Sequence, residues 1–193
     1  MKKIIDFTTK EEIKFTKEDL PILVHGKEHS GASLLSITVA SLFQKGGQKL
    51  CIFTAYPMAK EEFLKQIDNP ETIFYLEYEK DFEQALKFQT IIIQSGNIDL
   101  FIKAISNVSV MKDRIIFIKN VETINVPIFK LVLLYPFIIS GNLELNPFQL
   151  DFKNFIYSTK ILFNPFDEGK IPPLQKYQAF MRNKLGEKII IVN

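Results

Sequence analysis

Short apolar runs alternate along the chain with segments whose apolar residues recur at helical spacing. The runs that predict strands are Pro21–His25, Lys49–Thr54, Thr72–Leu76, Thr90–Gln94, Arg114–Ile118, Pro136–Ser140, Thr159–Phe163 and Lys188–Val192. Several are nearly continuous in Ile, Leu, Val and Phe, the pattern of strands covered on both faces, as in parallel sheets. Between them, Gly31 to Gln44 places Leu34, Leu35, Ile37, Val39, Leu42 and Phe43 at helical intervals, and Lys45-Gly46-Gly47 stops it. Ala59 to Ile67 puts Phe63, Leu64 and Ile67 on one face, and Asp81–Phe88 and Ile98–Ile105 have similar spacing. Pro172-Pro173 predicts the opening of a last helix that runs to about Leu185 and ends at Gly186. Asn142 to Ser158 is less regular and predicts a hairpin or surface loops, on the side of the sheet distant from the first helix.

Strand and helix alternating at this spacing predict an α/β fold, a mostly parallel sheet flanked by helices on both faces. Right-handed crossovers restrict its topology to a few options. The 193 residues suffice for one domain, spanning 1–193, with a sizeable core. No glycine-serine linker, low-complexity tract or internal repeat divides them.

Composition narrows the function classes. Hydrophobic residues make up 47% and charged residues 24%, the balance of a soluble globular protein. A formal net charge of +2 gives no argument for nucleic acid or an anionic membrane. The one cysteine, Cys51, lies inside the apolar run Leu50-Cys51-Ile52-Phe53, which excludes an intrachain disulfide and points to a buried structural thiol. The N-terminus runs into charged sequence without a signal-peptide apolar region. The most apolar stretch, Val126 to Ile139, carries Lys130 and two prolines and falls short of the roughly 20 residues a membrane span needs. A cytoplasmic protein without membrane contact is expected.

The most informative segment is Ile22-Leu23-Val24-His25-Gly26-Lys27-Glu28-His29-Ser30-Gly31-Ala32-Ser33-Leu34-Leu35. An apolar strand meets a glycine, four residues follow, then a second glycine, and a helix begins. This is the frame of a P-loop, G-x-x-x-x-G-K-[ST], with Gly26, Gly31 and Ser33 in place. Glycines let the backbone curl around a phosphate, and the N–H groups at the helix N-terminus point at the anion. Gly26, Lys27, Glu28, His29, Ser30, Gly31, Ala32 and Ser33 are therefore the candidate binding residues.

Downstream come a helix of small and apolar residues, the basic-glycine turn Gln44-Lys45-Gly46-Gly47-Gln48-Lys49, and the strand Leu50-Cys51-Ile52-Phe53-Thr54. From Pro21 to about Ile67 this resembles the RecA and KaiC-like ATPases, which implies a RecA-like P-loop NTPase fold. The resemblance also implies three groups that serve hydrolysis, and each position departs from it. The family lysine that reaches the β- and γ-phosphates corresponds to Ala32, which has neither charge nor reach. The Walker B aspartate that helps hold Mg²⁺ follows an apolar strand, and after Thr90-Ile91-Ile92-Ile93 comes Gln94, a poor partner for a hard dication. The glutamate expected after the second strand is missing from Phe53-Thr54-Ala55-Tyr56-Pro57-Met58, where no carboxylate precedes Glu61.

Two stand-ins come into question. Lys27 occupies the frame position where the deviant P-loops of ParA and MinD-like ATPases carry a lysine, with a solvated loop lysine as the plainer reading. Asp99 could replace the missing acid, against the plainer reading of a helix N-cap or first-turn carboxylate. His25 and His29 stand four apart but flank a glycine turn, with only Glu28 beside them, so an anion or partner contact fits better than a metal. Ser30 beside His29 has no nucleophile-elbow frame. The acid pairs Glu11-Glu12, Glu18-Asp19, Glu61-Glu62 and Asp167-Glu168 fit solvated faces or helix starts. Phe148, Phe152, Phe155, Phe163 and Phe166 are spread through the C-terminal third, where some could form a patch for another subunit. Lys170, Lys176, Arg182, Lys184 and Lys188, interleaved with Tyr177 and Phe180, could form a DNA-contacting strip or simply a solvated helix face.

These residues predict a catalytically inactive RecA-like ATPase homologue that acts as a protein-interaction or assembly module, with a protein partner or a homo-oligomer as its context. No catalytic residue, metal or obligatory cofactor is expected. The alternatives are a sensor that holds ATP or ADP without hydrolysis and, by fold analogy alone, an accessory factor in DNA recombination or replication.

Overall fold

The computed structural model describes residues 3–27, 30–54, 65, 70–119, 121, 124–145, 155–163, 174 and 178–192. Its strands join in one sheet of ten, in the order β1-β10-β9-β8-β2-β7-β6-β3-β5-β4. In chain order these are β1 (Ile4–Asp6), β2 (Ile22–His25), β3 (Lys49–Thr54), β4 (Ile73–Tyr75), β5 (Thr90–Gln94), β6 (Arg114–Lys119), β7 (Phe137–Gly141), β8 (Thr159–Leu162), β9 (Gln178–Asn183) and β10 (Gly186–Val192). From β8 across to β4 every neighbouring pair is parallel. β9, β10 and β1 extend the sheet by antiparallel pairing.

The continuous Ile, Leu, Val and Phe runs become strands covered on both sides, because alternate residues of each strand enter different cores. Val24, Ile52, Ile92, Phe117 and Ile138 pack in one layer with Leu35, Ile37, Val39 and Phe43 of α1 (Ala32–Lys45). Leu23, Phe53, Ile93, Ile116 and Ile139 pack in the other. That second layer is closed by α2 (Phe82–Ala85), α3 (Ile98–Ser106), α4 (Val108–Met111) and α5 (Val126–Val132). Phe53 stacks on Phe101 of α3 with ring centroids 4.2 Å apart.

Local signals account for the helix limits. Asn97 caps α3 by accepting from Leu100 N–H at 3.2 Å, so Asp99 sits in the first turn as a dipole-favoured acid. Asn125 caps α5 in the same way through Ile128 N–H at 3.1 Å, with Pro127 in the first turn. The N-terminal half of the longest apolar stretch thus becomes a helix and the C-terminal half a strand. Among the described residues, no helix is long and apolar enough to cross a membrane. α1 is buried around most of its circumference, and its internal hydroxyls bond back into the helix, Ser36 Oγ to Ser33 O at 2.9 Å and Thr38 Oγ1 to Leu34 O at 2.8 Å.

The C-terminal segment departs from the sequence expectation. Residues 178–185 do not continue a helix: Gln178–Asn183 is a strand paired with β8 on one side and β10 on the other. Ala179 and Met181 enter the α1-side core. Gly186, at φ 121°, opens β10 after the hairpin turn instead of ending a helix. Pro172 and Pro173 lie outside the described residues, as does the expected helix from Ala59 to Ile67 apart from Lys65.

At the amino edge of the sheet, the buried Arg114 fixes three elements. Its Nε donates to Val110 O at 2.7 Å, Nη1 to Leu50 O at 3.2 Å and Gln89 O at 2.8 Å, and Nη2 to Ala85 O at 3.2 Å and Phe88 O at 2.9 Å. Every N–H of the guanidinium meets a carbonyl. Burial lowers its pKa from the ordinary value.

Candidate functional site

The residues after β2 hold the loop of the P-loop frame between β2, β7 and α1. Gly26 donates its N–H to Gly141 O at 3.3 Å, and Phe163 N–H donates to His25 O at 2.8 Å, which pins the strand exit on both flanks. A Cβ at Gly26 would stand 2.4 Å from Ser30 Oγ and 2.9 Å from both Ala32 Cβ and Phe163 Cβ, so only glycine fits. Gly31, at φ 100°, turns the chain into α1 as its N-cap and accepts from Leu35 N–H at 3.0 Å. Ser30 folds the loop on itself: its N–H donates to Lys27 O at 3.2 Å, and its Oγ accepts from Ala32 N–H at 3.3 Å. One of the N–H groups that the frame would aim at an anion is thereby held by Ser30.

The other candidate residues divide sharply. Ala32 is buried against Gly26, while Ser33 is exposed on the first turn. Lys27 Nζ lies 3.6 Å from Glu144 Oε2 in a half-exposed ion pair that ties the loop to the turn after β7. His25 is buried, with Nδ1 3.2 Å from both Gly141 O and Leu143 N. One tautomer accepts from Leu143 N–H and the other donates to Gly141 O. His25 therefore latches β2 to the exit of β7 and is withdrawn from a surface contact. Glu28 and His29 lie outside the described residues. Among the described residues, no group of three His, Cys, Asp or Glu side chains could hold a metal ion.

Ligands of open parallel sheets bind outside the carboxyl ends of the strands, the edge from which α1 starts here. The register of β2, β7, β6, β3 and β5 aligns residues at or one short of their strand ends there, Val24 opposite Ser140, Ser140 opposite Lys119, Lys119 opposite Thr54 and Thr54 opposite Gln94. By strand alternation, these last four share the α1 face with Ile138, Phe117, Ile52 and Ile92. Ser140, Lys119 and Thr54 are buried, and Gln94 is exposed.

This order corrects the expectation for the Walker B position. β5, which ends at Gln94, is four strand places from β2, about 19 Å at the usual spacing. β6 is two places away, about 10 Å, and ends in Lys119. The residue near the loop is thus a buried lysine, missed because β4 and β5 lie between β3 and β6 in the chain but at the sheet's far edge. An apolar run ending abruptly in a cation, Ile115-Ile116-Phe117-Ile118-Lys119, was the available signal. Asp99 is excluded as a stand-in acid, since α3 covers the opposite face of the sheet. A Mg²⁺ ion, which the fold commonly employs with nucleotide, does not fit this row: it has no carboxylate, and its central member is a cation.

The expected surfaces also find their places. Phe163 is buried, and Phe155 packs with Phe129, Phe137 and Tyr157, so both belong to the core. Phe148, Phe152 and Phe166 lie outside the described residues. Arg182 Nε pairs with Glu187 at 2.6 Å, and Lys184 pairs with Glu18, which neutralises part of the basic strip. Lys170, Lys176 and Tyr177 are not among the described residues.

No family model matches the chain, and no curated protein matches it in sequence. Solved structures do resemble it. The genome packaging NTPase B204 from Sulfolobus turreted icosahedral virus 2, in complex with ATP-γ-S, superposes with a TM-score of 0.63 at 12% identity, over 89% of this chain and 96% of that one. The DNA-packaging ATPase B204 of Sulfolobus turreted icosahedral virus gives 0.61 at 12% identity, over 90% and 98%. ATPases 2 and 3 of Thermomonospora curvata EccC give 0.54 at 13% identity, over 99% of this chain and 40% of that one. The mixed, mostly parallel sheet flanked by helices is therefore a P-loop NTPase fold.

Proposed function

We propose that this chain is a P-loop-fold module that does not hydrolyse nucleotide and acts through protein contacts as an assembly subunit. The row Ser140, Lys119, Thr54 and Gln94 carries this reading, because it supplies no carboxylate to hold a dication or polarise a water. Ala32 supports it, since the loop lacks a cation at that position to meet charge transferred to a leaving phosphate. The exposed apolar side chains Val108, Leu134, Leu145, Ile156 and Leu185 are the available contacts for a partner or a second copy.

Phosphate release from ATP and GTP in Mg²⁺ tests the reading, and release at the buffer background is expected. Turnover that Ser33→Ala or Lys27→Ala removes would overturn it. Ala32→Lys alone is expected to leave release at background, because the row still lacks an acid. A second reading, ATP or ADP held without hydrolysis, draws on the Gly26–Gly31 turn into α1. Unchanged melting temperature with either nucleotide, with and without Mg²⁺, would remove it.

A further inference from the structure

We draw no further inference here: the strongest candidate, the row of exposed apolar side chains Val108, Leu134, Ile156 and Leu185 along the amino edge of the sheet, carries nothing because nothing in the structure shows what covers it.

Discussion

Strand β6 begins and ends with a buried cation, and the two ends of this one strand do different work. Arg114 stands at the amino edge on the face covered by α2 to α5, and its guanidinium donates to carbonyls of β3, α2, α4 and the turn before β5. Lys119 stands at the carboxyl edge on the α1 face, between Ser140 and Thr54. A planar fork with five fixed donors suits permanent carbonyl partners, whereas an ammonium is a compact charge on a flexible stem. The edge opposite the loop is braced further by side-chain amides: Gln44 Nε2 reaches Thr90 Oγ1 at 3.0 Å, and Gln89 Nε2 reaches Gln44 O at 2.6 Å. One edge of the sheet is thus locked by hydrogen bonds internal to the chain, and the other carries the β2–α1 loop and the buried row Ser140, Lys119 and Thr54.

The contrast fails if the two cations respond alike to removal. Arg114→Met leaves a set of buried carbonyls without their donor and should cost about 3–5 kcal/mol in urea unfolding. A loss below about 1 kcal/mol would show that the clamp is not structural. Gly26→Ala forces Ser30, Ala32 and Phe163 apart and should cost about 1–3 kcal/mol, read in the same unfolding experiment. Lys119→Met removes a buried ammonium together with its interactions and should cost about 1–3 kcal/mol, less than the loss of the five-bond Arg114 clamp, read in the same unfolding experiment. A penalty near that of Arg114 would make it a second clamp. Lys27→Ala, which removes a half-exposed ion pair, should shift stability by less than about 0.5 kcal/mol, and thermal unfolding at low and high salt would expose any larger contribution.

The expected parallel strands were legible because each is a dense apolar run, and such a run has no stable place except between two helix layers. The turn from β2 into α1 was legible for a different reason, since its glycines answer local demands of close approach at Gly26 and positive φ at Gly31. β9 was hidden because Gln178-Ala179-Phe180-Met181-Arg182 favours a helix locally, and pairing on both edges overrides that preference. Lys119 was hidden because spatial order is set by pairing across the sheet. β5 precedes β6 in the chain, yet β6 is nearer the loop. The candidate loop could be named from the sequence, but its neighbour across the sheet required the register.

Cys51 gives the molecule a chemical clock. It is fully buried in β3 between β5 and β6, and burial pushes its thiol up to about 12. Thiolate, the reactive form, is therefore scarce at neutral pH while the strands stay closed, and an unfolded chain restores an ordinary thiol pKa near about 8.5. A thiol reagent would consequently count openings of the central strands one molecule at a time, with no competing cysteine to confuse the signal. Any ligand that binds only the closed form would slow that count in proportion to its occupancy.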